Sequence, residues 1–353
     1  MRRELRMAAV ALTGVALALS AAGCGGKKTT TDGGGGGGDT KKTLKVGLAY
    51  DIGGRGDQSF NDAAARGLDK VKSDLNIKTE ELSAKAGEPD TDKEARLKLL
   101  ASSGYNPVIG VGFAYTASVL KIAKDFPNTK FLVVDADQCK VEGANVTGAC
   151  FSEEQGSFLV GAAAALKSKT GTIGFIGGVN VPLIHKFEAG YAAGAKAAKP
   201  SIKVLPAKYL TQPPNFDGFK NPALGTEAAK GQLDAGADVI YQAAGGAGIG
   251  VIKTVGAAKK LAIGVDSDQY NQPALAEVKD YILTSMVKGV DVAVFDFVKA
   301  VSDGTAAAGT KQYNLSNDGV GYAISGGKLD DIKAKLDALK ADIVSGKIKV
   351  PTS

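Results

Sequence analysis

Short apolar segments alternate with segments of helical spacing along most of the chain, beginning at residue 44. Residues 44–50, 107–112 and 131–135 have the composition of buried strands, whereas residues 59–75 and 116–125 place apolar side chains at helical intervals. Because parallel strands are joined by crossovers that are usually helical, this βαβ series predicts a parallel sheet with helices on both faces.

The same alternation starts again after residue 150. Helices and strands are predicted in turn at residues 153–167, 172–177, 186–199, 202–209, 223–235, 237–241 and 261–266. Two successive open α/β units predict two lobes with a cleft between them. Ligands of open α/β sheets bind beyond the carboxyl ends of the strands, so polar residues at those ends are the first candidates for a site.

The N-terminus predicts export and lipidation. Arg2, Arg3 and Arg6 precede an apolar stretch, residues 7–19, that is too short to span a bilayer comfortably. Residues 19–24, LSAAGC, then resemble a bacterial lipobox. We expect a signal peptide in residues 1–23, a lipidated Cys24 at the outer face of the cell membrane, and a glycine-rich flexible tether in residues 24–43. The alternative is an ordinary signal peptide with a chance cysteine.

Composition argues against several classes of function. The 353-residue chain has a formal net charge of +6, but its lysines are mixed with Asp and Glu and the folded part has no basic run, so we expect no nucleic-acid binding. His185 is the only histidine and no CxxC motif occurs, which argues against a metal site or cofactor. Lys186 and Glu188 beside His185 indicate a solvated helix start rather than a catalytic triad.

Two cysteines remain besides Cys24. In an exported protein, Cys139 and Cys150 suggest a disulfide that closes a short surface loop. The alternatives are two free thiols or a metal-binding pair.

Candidate binding residues cluster around the first strand. Asp51 follows that strand, Asp57 lies in a glycine-rich loop, and Phe60 and Asn61 open the next helix. Together they can present carboxylates, an amide and an aromatic face at one edge of the cleft. The alternative is that Asp57 or Ser59 only caps the helix and that Phe60 belongs to the core.

Asp135 and Asp266 each end an apolar strand. A carboxylate in that position is costly unless it is paired or solvated, and sugar hydroxyls are suitable partners because one carboxylate accepts two of them. Helix capping or a salt bridge would also explain either residue.

Glycines at residues 245–250, GGAGIG, follow a strand and open a helix. This pattern is compatible with a dinucleotide-binding fingerprint, but it lacks the Lys-Ser/Thr pair of a phosphate loop. Its other use is to let backbone N–H groups approach a neutral ligand.

Taken in order, these segments resemble the basic membrane protein family of ABC transporter substrate-binding lipoproteins. The resemblance covers about residues 44–351. It is carried by the segments 51–61 (DIGGRGDQSFN), 112–115 (GFAY), 154–159 (EQGSFL), 187–191 (FEAGY), 237–240 (ADVI), 244–248 (AGGAG), 264–269 (GVDSDQ), 284–288 (TSMVK) and 346–351 (GKIKVP).

The resemblance implies a type I periplasmic-binding-protein fold with two open parallel-sheet lobes, a cleft and hinge crossovers. Residues 44–150 plus about 284–305 would form the N-terminal lobe, and residues 151–283 plus about 306–353 the C-terminal lobe. It implies a monomer that binds a purine nucleoside (guanosine, inosine or adenosine) without catalysis and delivers it to the permease subunits of an ABC importer. A signalling lipoprotein of the same fold and an extracellular enzyme acting on nucleosides are the alternatives.

The resemblance also assigns site residues. Phe60 and Phe219 would hold the base between two rings, Asp135 and Asp266 would accept ribose hydroxyls, and Lys288 would lie close to the sugar. Asp51 and Asp57 would face the base or the cleft, and Gly246 would offer backbone groups. Around residues 209–218 the sequence departs from the family pattern, and residues 212–216 (QPPNF) look like an insertion. Phe216 is therefore the substitute for Phe219.

Overall fold

The computed structural model describes residues 44–353. The predicted signal peptide, Cys24 and the tether lie outside these residues. No helix in the described part of the chain is long and apolar enough to cross a membrane.

Strands and helices alternate as the sequence predicts. The strands are β1 Lys45–Tyr50, β2 Lys78–Ser83, β3 Val108–Val111, β4 Phe131–Val134, β5 Val146–Phe151, β6 Thr172–Val179, β7 Lys203–Val204, β8 Lys208–Thr211, β9 Val239–Ala243, β10 Leu261–Asp266, β11 Ile282–Lys288, β12 Gly309–Tyr313 and β13 Val320–Tyr322. The helices are α1 Phe60–Leu75, α2 Asp90–Ser102, α3 Thr116–Asp125, α4 Glu153–Lys167, α5 Pro182–Ala198, α6 Pro222–Asp234, α7 Gly248–Ala257, α8 Val290–Ser302 and α9 Lys333–Val344.

Within residues 44–353 the strands form two sheets, one in each lobe. The order in the first lobe is β12-β5-β4-β3-β1-β2, and the order in the second is β13-β11-β10-β9-β6-β7, with β8 also paired to β6. Every ladder is parallel except the one between β11 and β13. The predicted two-lobed parallel α/β fold is therefore confirmed, and the two sheets have the same order of strands when read from β2 and from β7.

Several central strands are buried along their whole length because helices cover both faces of each sheet. Strands β3 and β4 are buried at every residue, and so is β9 in the second sheet. In the second lobe α4 packs directly on α5, and glycines allow the close approach. A Cβ at Gly161 would lie 2.1 Å from the Tyr191 carbonyl oxygen, and one at Gly194 would lie 1.9 Å from that of Phe158.

The chain crosses between the lobes after β5, after β11 and after β12. Two of these positions differ from the predicted lobe boundaries. Strand β11 was expected in the first lobe from about residue 284, but it pairs with β10 in the second sheet and the crossing follows at Gly289. Strand β12 was expected in the second lobe, but it pairs with β5, and Tyr313 stacks on Phe151 at 5.0 Å between ring centroids. Backbone pairing determines both placements, and the aromatic contact supports that of β12.

Candidate functional site

A cavity lies between the two lobes at the carboxyl ends of the strands. Its lining surrounds about 570 Å³ of space between atoms, part of it open to solvent. Eight of the nine predicted binding residues line it: Asp51, Asp57, Phe60, Asn61, Asp135, Phe219, Asp266 and Lys288. The ninth, Gly246, is buried beside the cavity, and its neighbour Gly245 lines it instead.

Asp135 and Asp266 occupy equivalent places in the two lobes. Asp135 directly follows β4 and Asp266 ends β10, the fourth strand of each sheet when the order is read from β2 and from β7. Both have left-handed backbone, with φ of 60° and 62°. A non-glycine residue in this region is strained by about 1 kcal/mol or more, although Asp tolerates it better than most. Each lobe thus turns a carboxylate into the cleft by the same backbone device.

Lys288 forms buried ion pairs in the centre of the site. Its Nζ lies 2.6 Å from Asp135 Oδ2 and 3.0 Å from Glu153 Oε1, and its side chain is 2% exposed. Burial lowers the pKa of the ammonium group, but the carboxylates of Asp135, Glu153 and Asp266 outweigh burial and hold that pKa above its ordinary value. Lys288 therefore stays charged at neutral pH.

Aromatic rings surround the same ammonium group. The Lys288 Nζ lies 5.3 Å from the ring centroid of Phe60, 4.8 Å from that of Phe151 and 5.6 Å from that of Phe187. These distances are those of cation–π contacts, which gain strength where water is excluded. Phe60 and Phe187 also line the cavity.

One carboxylate oxygen of Asp135 is left without a donor. Oδ2 accepts from Lys288, whereas Oδ1 is buried and has no hydrogen-bond partner among residues 44–353. Burial raises the pKa of Asp135, and Lys288 lowers it in opposition. A buried acceptor without a partner costs about 1–3 kcal/mol, and a ligand hydroxyl or N–H in the cavity would remove that cost.

Asp266 has a partner from the opposite lobe. The Ser59 hydroxyl donates to Asp266 Oδ2 at 2.7 Å, and the Ser267 hydroxyl donates to the Ser59 carbonyl at 2.9 Å. Burial raises the pKa of Asp266 to about 6, although Lys288 and the Ser59 hydroxyl act in the other direction. Ser59 thus joins the lobes and makes no side-chain cap on α1.

Asp57 and Asn61 hold the loop that leads into α1. The Asp57 carboxylate accepts from the backbone N–H groups of Ser59, Asn61 and Asp62 at 2.8–3.0 Å. The Asn61 side chain donates to Asp57 at 3.0 Å and accepts from the Asp51 N–H at 3.1 Å. Asp57 is therefore the capping residue that the sequence left as an alternative, and a ligand contact for either side chain stays a prediction.

Asp51 presents its carboxylate beside a required glycine. Its Oδ1 accepts from the Ile52 N–H at 2.7 Å, and burial raises its pKa to about 6. A Cβ at Gly112 would come within 2.3 Å of Asp51 Oδ2, and Gly112 has a φ of +102°. The glycine at the end of β3 therefore makes room for this carboxylate.

Phenylalanines from both lobes face the cavity. Phe60 begins α1 in the first lobe, and Phe219 ends a short 3₁₀ turn, Asp217–Phe219, in the second. Phe216 does not line the cavity and instead contacts Phe113, with 6.1 Å between ring centroids. Phe219 is therefore the wall residue of this loop.

The glycines of residues 245–250 are explained mainly by packing. A Cβ at Gly248 would lie 2.1 Å from Gln242 Oε1, and one at Gly250 would lie 2.0 Å from the Pro222 carbonyl oxygen. Gly245, with a φ of +53°, lines the cavity. These contacts account for the motif without a phosphate.

Cys139 and Cys150 are free thiols in the part of the chain that the structure describes. The neighbouring Cys150 thiol holds the pKa of Cys139 below its ordinary value. The structure therefore has two free thiols, which the sequence left as one alternative, and a Cys139–Cys150 disulfide stays a prediction.

The side chain of His185 is held by two neighbours: its Nε2 lies 2.7 Å from Asn180 Oδ1, and its ring meets Tyr209 edge-on. Residues 44–353 contain no group of three or more His, Cys, Asp or Glu side chains arranged to hold a metal ion.

Glu153, Phe187, Ser59 and Phe113 were not identified from the sequence. Glu153 opens α4 immediately after the first lobe crossing and is only 1% exposed. A carboxylate that starts a helix composed mainly of alanine and other apolar residues is the signal that would have found it. Phe187 and Phe113 lie in the family segments 187–191 and 112–115, but nothing in their spacing separates a cavity wall from a core residue.

Residues 44–353 match the model of a protein family described as Bmp, ABC transporter substrate-binding protein PnrA-like. The chain belongs to this family. It is 34% identical to the ABC transporter nucleoside-binding protein BmpA of Lactococcus lactis over 377 aligned positions, gaps included, which cover 99% of each chain. It is 35% identical over 293 residues to an uncharacterized lipoprotein of Pyrococcus abyssi, covering 80% of this chain and 69% of the relative.

A solved structure of an ABC transporter solute-binding protein from Aeropyrum pernix is similar to this chain. The TM-score is 0.75 at 26% identity, with 88% of this chain and 94% of the other covered. The type I periplasmic-binding-protein fold is therefore confirmed. The relatives and the fold are those of solute-binding components of ABC transporters, not enzymes, and this Bmp-family chain is a substrate-binding protein.

Proposed function

We propose that this Bmp-family protein is an exported lipoprotein, anchored through Cys24, that binds a purine nucleoside between its lobes and delivers it to an ABC permease. The observation that carries the ligand assignment is a cavity with an aromatic wall from each lobe and a buried carboxylate oxygen that has no donor within residues 44–353. A planar base and a polyhydroxylated sugar on one ligand satisfy both features.

The base is assigned to the aromatic side of the cavity. Phe60 and Phe219 approach it from opposite lobes, so closure of the lobes brings two apolar faces onto one planar ligand. Stacking between two rings accepts any purine, because every base has a π-face. Asp51 and Asp57 line the same cavity and are the candidates for contacts with the polar edge of the base.

The ribose is assigned to the two strand-end carboxylates. Asp135 Oδ1 lacks a donor in the described part of the chain, and Asp266 lines the cavity from the other lobe. Ionised carboxylates only accept hydrogen bonds, so the vicinal hydroxyls of ribose suit them. Lys288 balances the acidic charge beside the sugar, and Gly245 and Gly246 bring backbone close to the ligand.

The relatives support transport and anchoring. The Lactococcus relative is named as a nucleoside-binding protein of an ABC transporter, and the Pyrococcus relative as a lipoprotein. The cavity between the lobes needs only closure around a ligand, which a single chain performs, so we propose a monomer.

The ligand assignment is tested by native mass spectrometry of the protein purified without added ligand, followed by identification of any released small molecule. A purine nucleoside supports the proposal. A different ligand class, or no binding of guanosine, inosine or adenosine when these are added, contradicts it. Conversion of added inosine to free hypoxanthine would instead support the enzymatic alternative.

The anchor has its own test. Cys24→Ser removes the thiol that would carry the lipid, so the variant should appear in the medium or remain as an unprocessed precursor. Fractionation and the mass of the mature protein measure this. A variant that stays membrane-bound with the normal mature size contradicts lipidation at Cys24.

A further inference from the structure

The segment 212–216 that departs from the family pattern forms an ordered turn between β8 and the 3₁₀ turn Asp217–Phe219. The Asn215 N–H donates to the Gln212 carbonyl at 2.9 Å, and the Thr211 hydroxyl donates to the Asn215 carbonyl at 2.7 Å. The Asp217 N–H donates to Asn215 Oδ1 at 2.9 Å. These local bonds hold the backbone on both sides of Phe216.

Phe216 reaches across the cleft to the first lobe. Its ring centroid is 6.1 Å from that of Phe113, with an angle of 56° between the ring planes. Phe113 begins the short turn after β3 and lines the cavity, whereas Phe216 does not. Both rings are half-buried. Phe216 therefore contacts a residue of the cavity wall without lining the cavity itself.

Phe216 is far, in sheet order, from the strands that carry the crossings between the lobes, and Phe113 follows β3 in the middle of the first sheet. The crossings leave β5, β11 and β12, which lie with β13 at one end of the two sheets. Phe216 follows β8, which pairs with β6 at the other end of the second sheet. A hinge motion separates the lobes most at the end far from the hinge. Phe216 and Phe113 are therefore placed where opening would part them.

Two polar contacts between the lobes lie elsewhere. Ser59 binds Asp266, and the Gln269 side chain donates to the Gln58 carbonyl at 3.0 Å. These bonds join the start of α1 to the residues at the end of β10 and directly after it. The Phe216–Phe113 pair is thus a separate, apolar contact that depends on the same closure.

We propose that Phe216 is a retention residue, which slows escape of the bound ligand by closing the cleft against Phe113 without touching the ligand itself. The identity of the ligand as a nucleoside rests on the function proposed above. An aromatic contact made only in the closed state stabilises that state relative to the open one. Its loss therefore accelerates release more than it slows capture.

The test is stopped-flow kinetics with inosine, guanosine and adenosine on the full mature protein. Phe216→Ala should raise the dissociation rate about 3- to 10-fold, the range of a single aromatic pair, and change the association rate less than about twofold. Phe216→Leu keeps an apolar side chain, so its dissociation rate should lie between those of the wild type and Phe216→Ala. Phe295→Ala, an equally half-buried ring on α8 that does not line the cavity, is the matched control and should leave the rate unchanged.

A double-mutant cycle separates the effect of the Phe216–Phe113 contact from a general effect on the loop. Phe113→Ala also alters the cavity wall, so only its coupling to Phe216→Ala is informative. If Phe216 acts through Phe113, Phe216→Ala should have no further effect on dissociation in the Phe113→Ala background. Equal effects in both backgrounds, or an unchanged rate for Phe216→Ala in wild type, overturn the inference while leaving the nucleoside assignment intact.

If wild-type protein binds no nucleoside, the proposed function fails and the contact is judged without ligand. Hydrogen exchange of the unliganded protein then reports on residues 113–115. Faster exchange there in Phe216→Ala than in Phe295→Ala supports the contact, and identical exchange overturns it.

Discussion

The two lobes place an aspartate at the same position, yet the two side chains have different surroundings. Asp135 and Asp266 end equivalent strands with the same left-handed backbone. The Lys288 ammonium of the second lobe binds Asp135, whereas the Ser59 hydroxyl of the first lobe binds Asp266. Each carboxylate is thus held by a residue of the opposite lobe, once by a cation and once by a neutral donor.

This difference indicates how one architecture serves two tasks. The Lys288 ammonium balances the charge of Asp135, and Asp135 Oδ1 has no hydrogen-bond donor among residues 44–353, so that oxygen can accept from a ligand. Asp266 lies among bonds that join the lobes directly, including those of Ser267 and Gln269 to the start of α1. Repetition of the strand order supplies two equivalent positions, and the partner from the other lobe decides what each position does. We expect Asp135 to contribute mainly to ligand affinity, and Asp266 to both affinity and closure.

The largest effect is expected when the cation is removed. Lys288→Met leaves the buried carboxylate of Asp135 without its counterion and Glu153 with only Lys186, at 3.2 Å. Loss of one partner of a buried pair typically costs about 3–5 kcal/mol, so the free energy of unfolding should fall by that amount and nucleoside binding should be lost. Denaturant unfolding and calorimetry measure the two effects.

Lys311→Met is the matched control, because its ion pair with Asp296 at 3.3 Å is half-exposed. That variant should change stability by less than about 1 kcal/mol. If Lys288→Met were as stable as Lys311→Met, the buried cluster would not have the energetic role assigned to it.

The two aspartates should respond differently to the same substitution. Asp135→Asn removes one of the two carboxylates paired with Lys288 and replaces one carboxylate oxygen with an NH2 group, which cannot accept a hydrogen bond. Affinity should therefore fall about 30-fold to several thousandfold, corresponding to about 2–5 kcal/mol. Asp266→Asn keeps a side chain that can still bond to Ser59, so we expect a loss of about 10- to 100-fold. Calorimetry with inosine compares them, with Asp296→Asn as the exposed control. A smaller loss for Asp135→Asn than for Asp266→Asn would reverse the assignment.

A smaller effect is expected from pH. Burial raises the pKa of Asp266 and of Asp51 from 3.8 to about 6. The folded protein holds these protons more tightly than the unfolded chain, so both groups add stability at low pH and lose it as pH rises through about 6. Binding has the opposite sign, because ribose hydroxyls donate to the ionised form.

Nucleoside affinity should therefore fall as pH is lowered through about 6, by about tenfold one unit below that value. Calorimetry across this range measures it, and Asp266→Asn should flatten the profile in part because Asp51 still titrates. An affinity independent of pH down to pH 5 would contradict an ionised Asp266 as the sugar ligand.

Much of this comparison is accessible from the sequence. Asp135 and Asp266 end recognisable apolar strands, and parallel strand ends share one edge of a sheet, so their place at the cleft follows from the pattern. The partners do not follow from it. Lys288 meets Asp135 only because β11 stays in the second sheet up to its last residue, whereas the expected boundary near 284 placed it in the first lobe.

Loop residues show the same division between pattern and packing. The sequence left open whether Asp57 caps α1, and three backbone N–H groups answer that question. It also kept Phe216 as a substitute for the predicted Phe219, because three residues of spacing do not reveal which ring faces the cavity. Local hydrogen bonds of Thr211 and Asn215 turn one ring into the cavity wall and the other across the cleft.

The account is tested most directly by calorimetric titration of wild-type protein and Asp266→Ala with guanosine, inosine and adenosine and with the corresponding free bases. Loss of one charge-assisted hydrogen bond of about 1.5–3 kcal/mol predicts an affinity loss of about 10- to 200-fold in the variant. The free bases should bind wild-type protein poorly, because they lack the hydroxyls that these carboxylates accept. Equal affinity for base and nucleoside, or undiminished affinity in a folded Asp266→Ala, would contradict recognition of ribose between the two lobes.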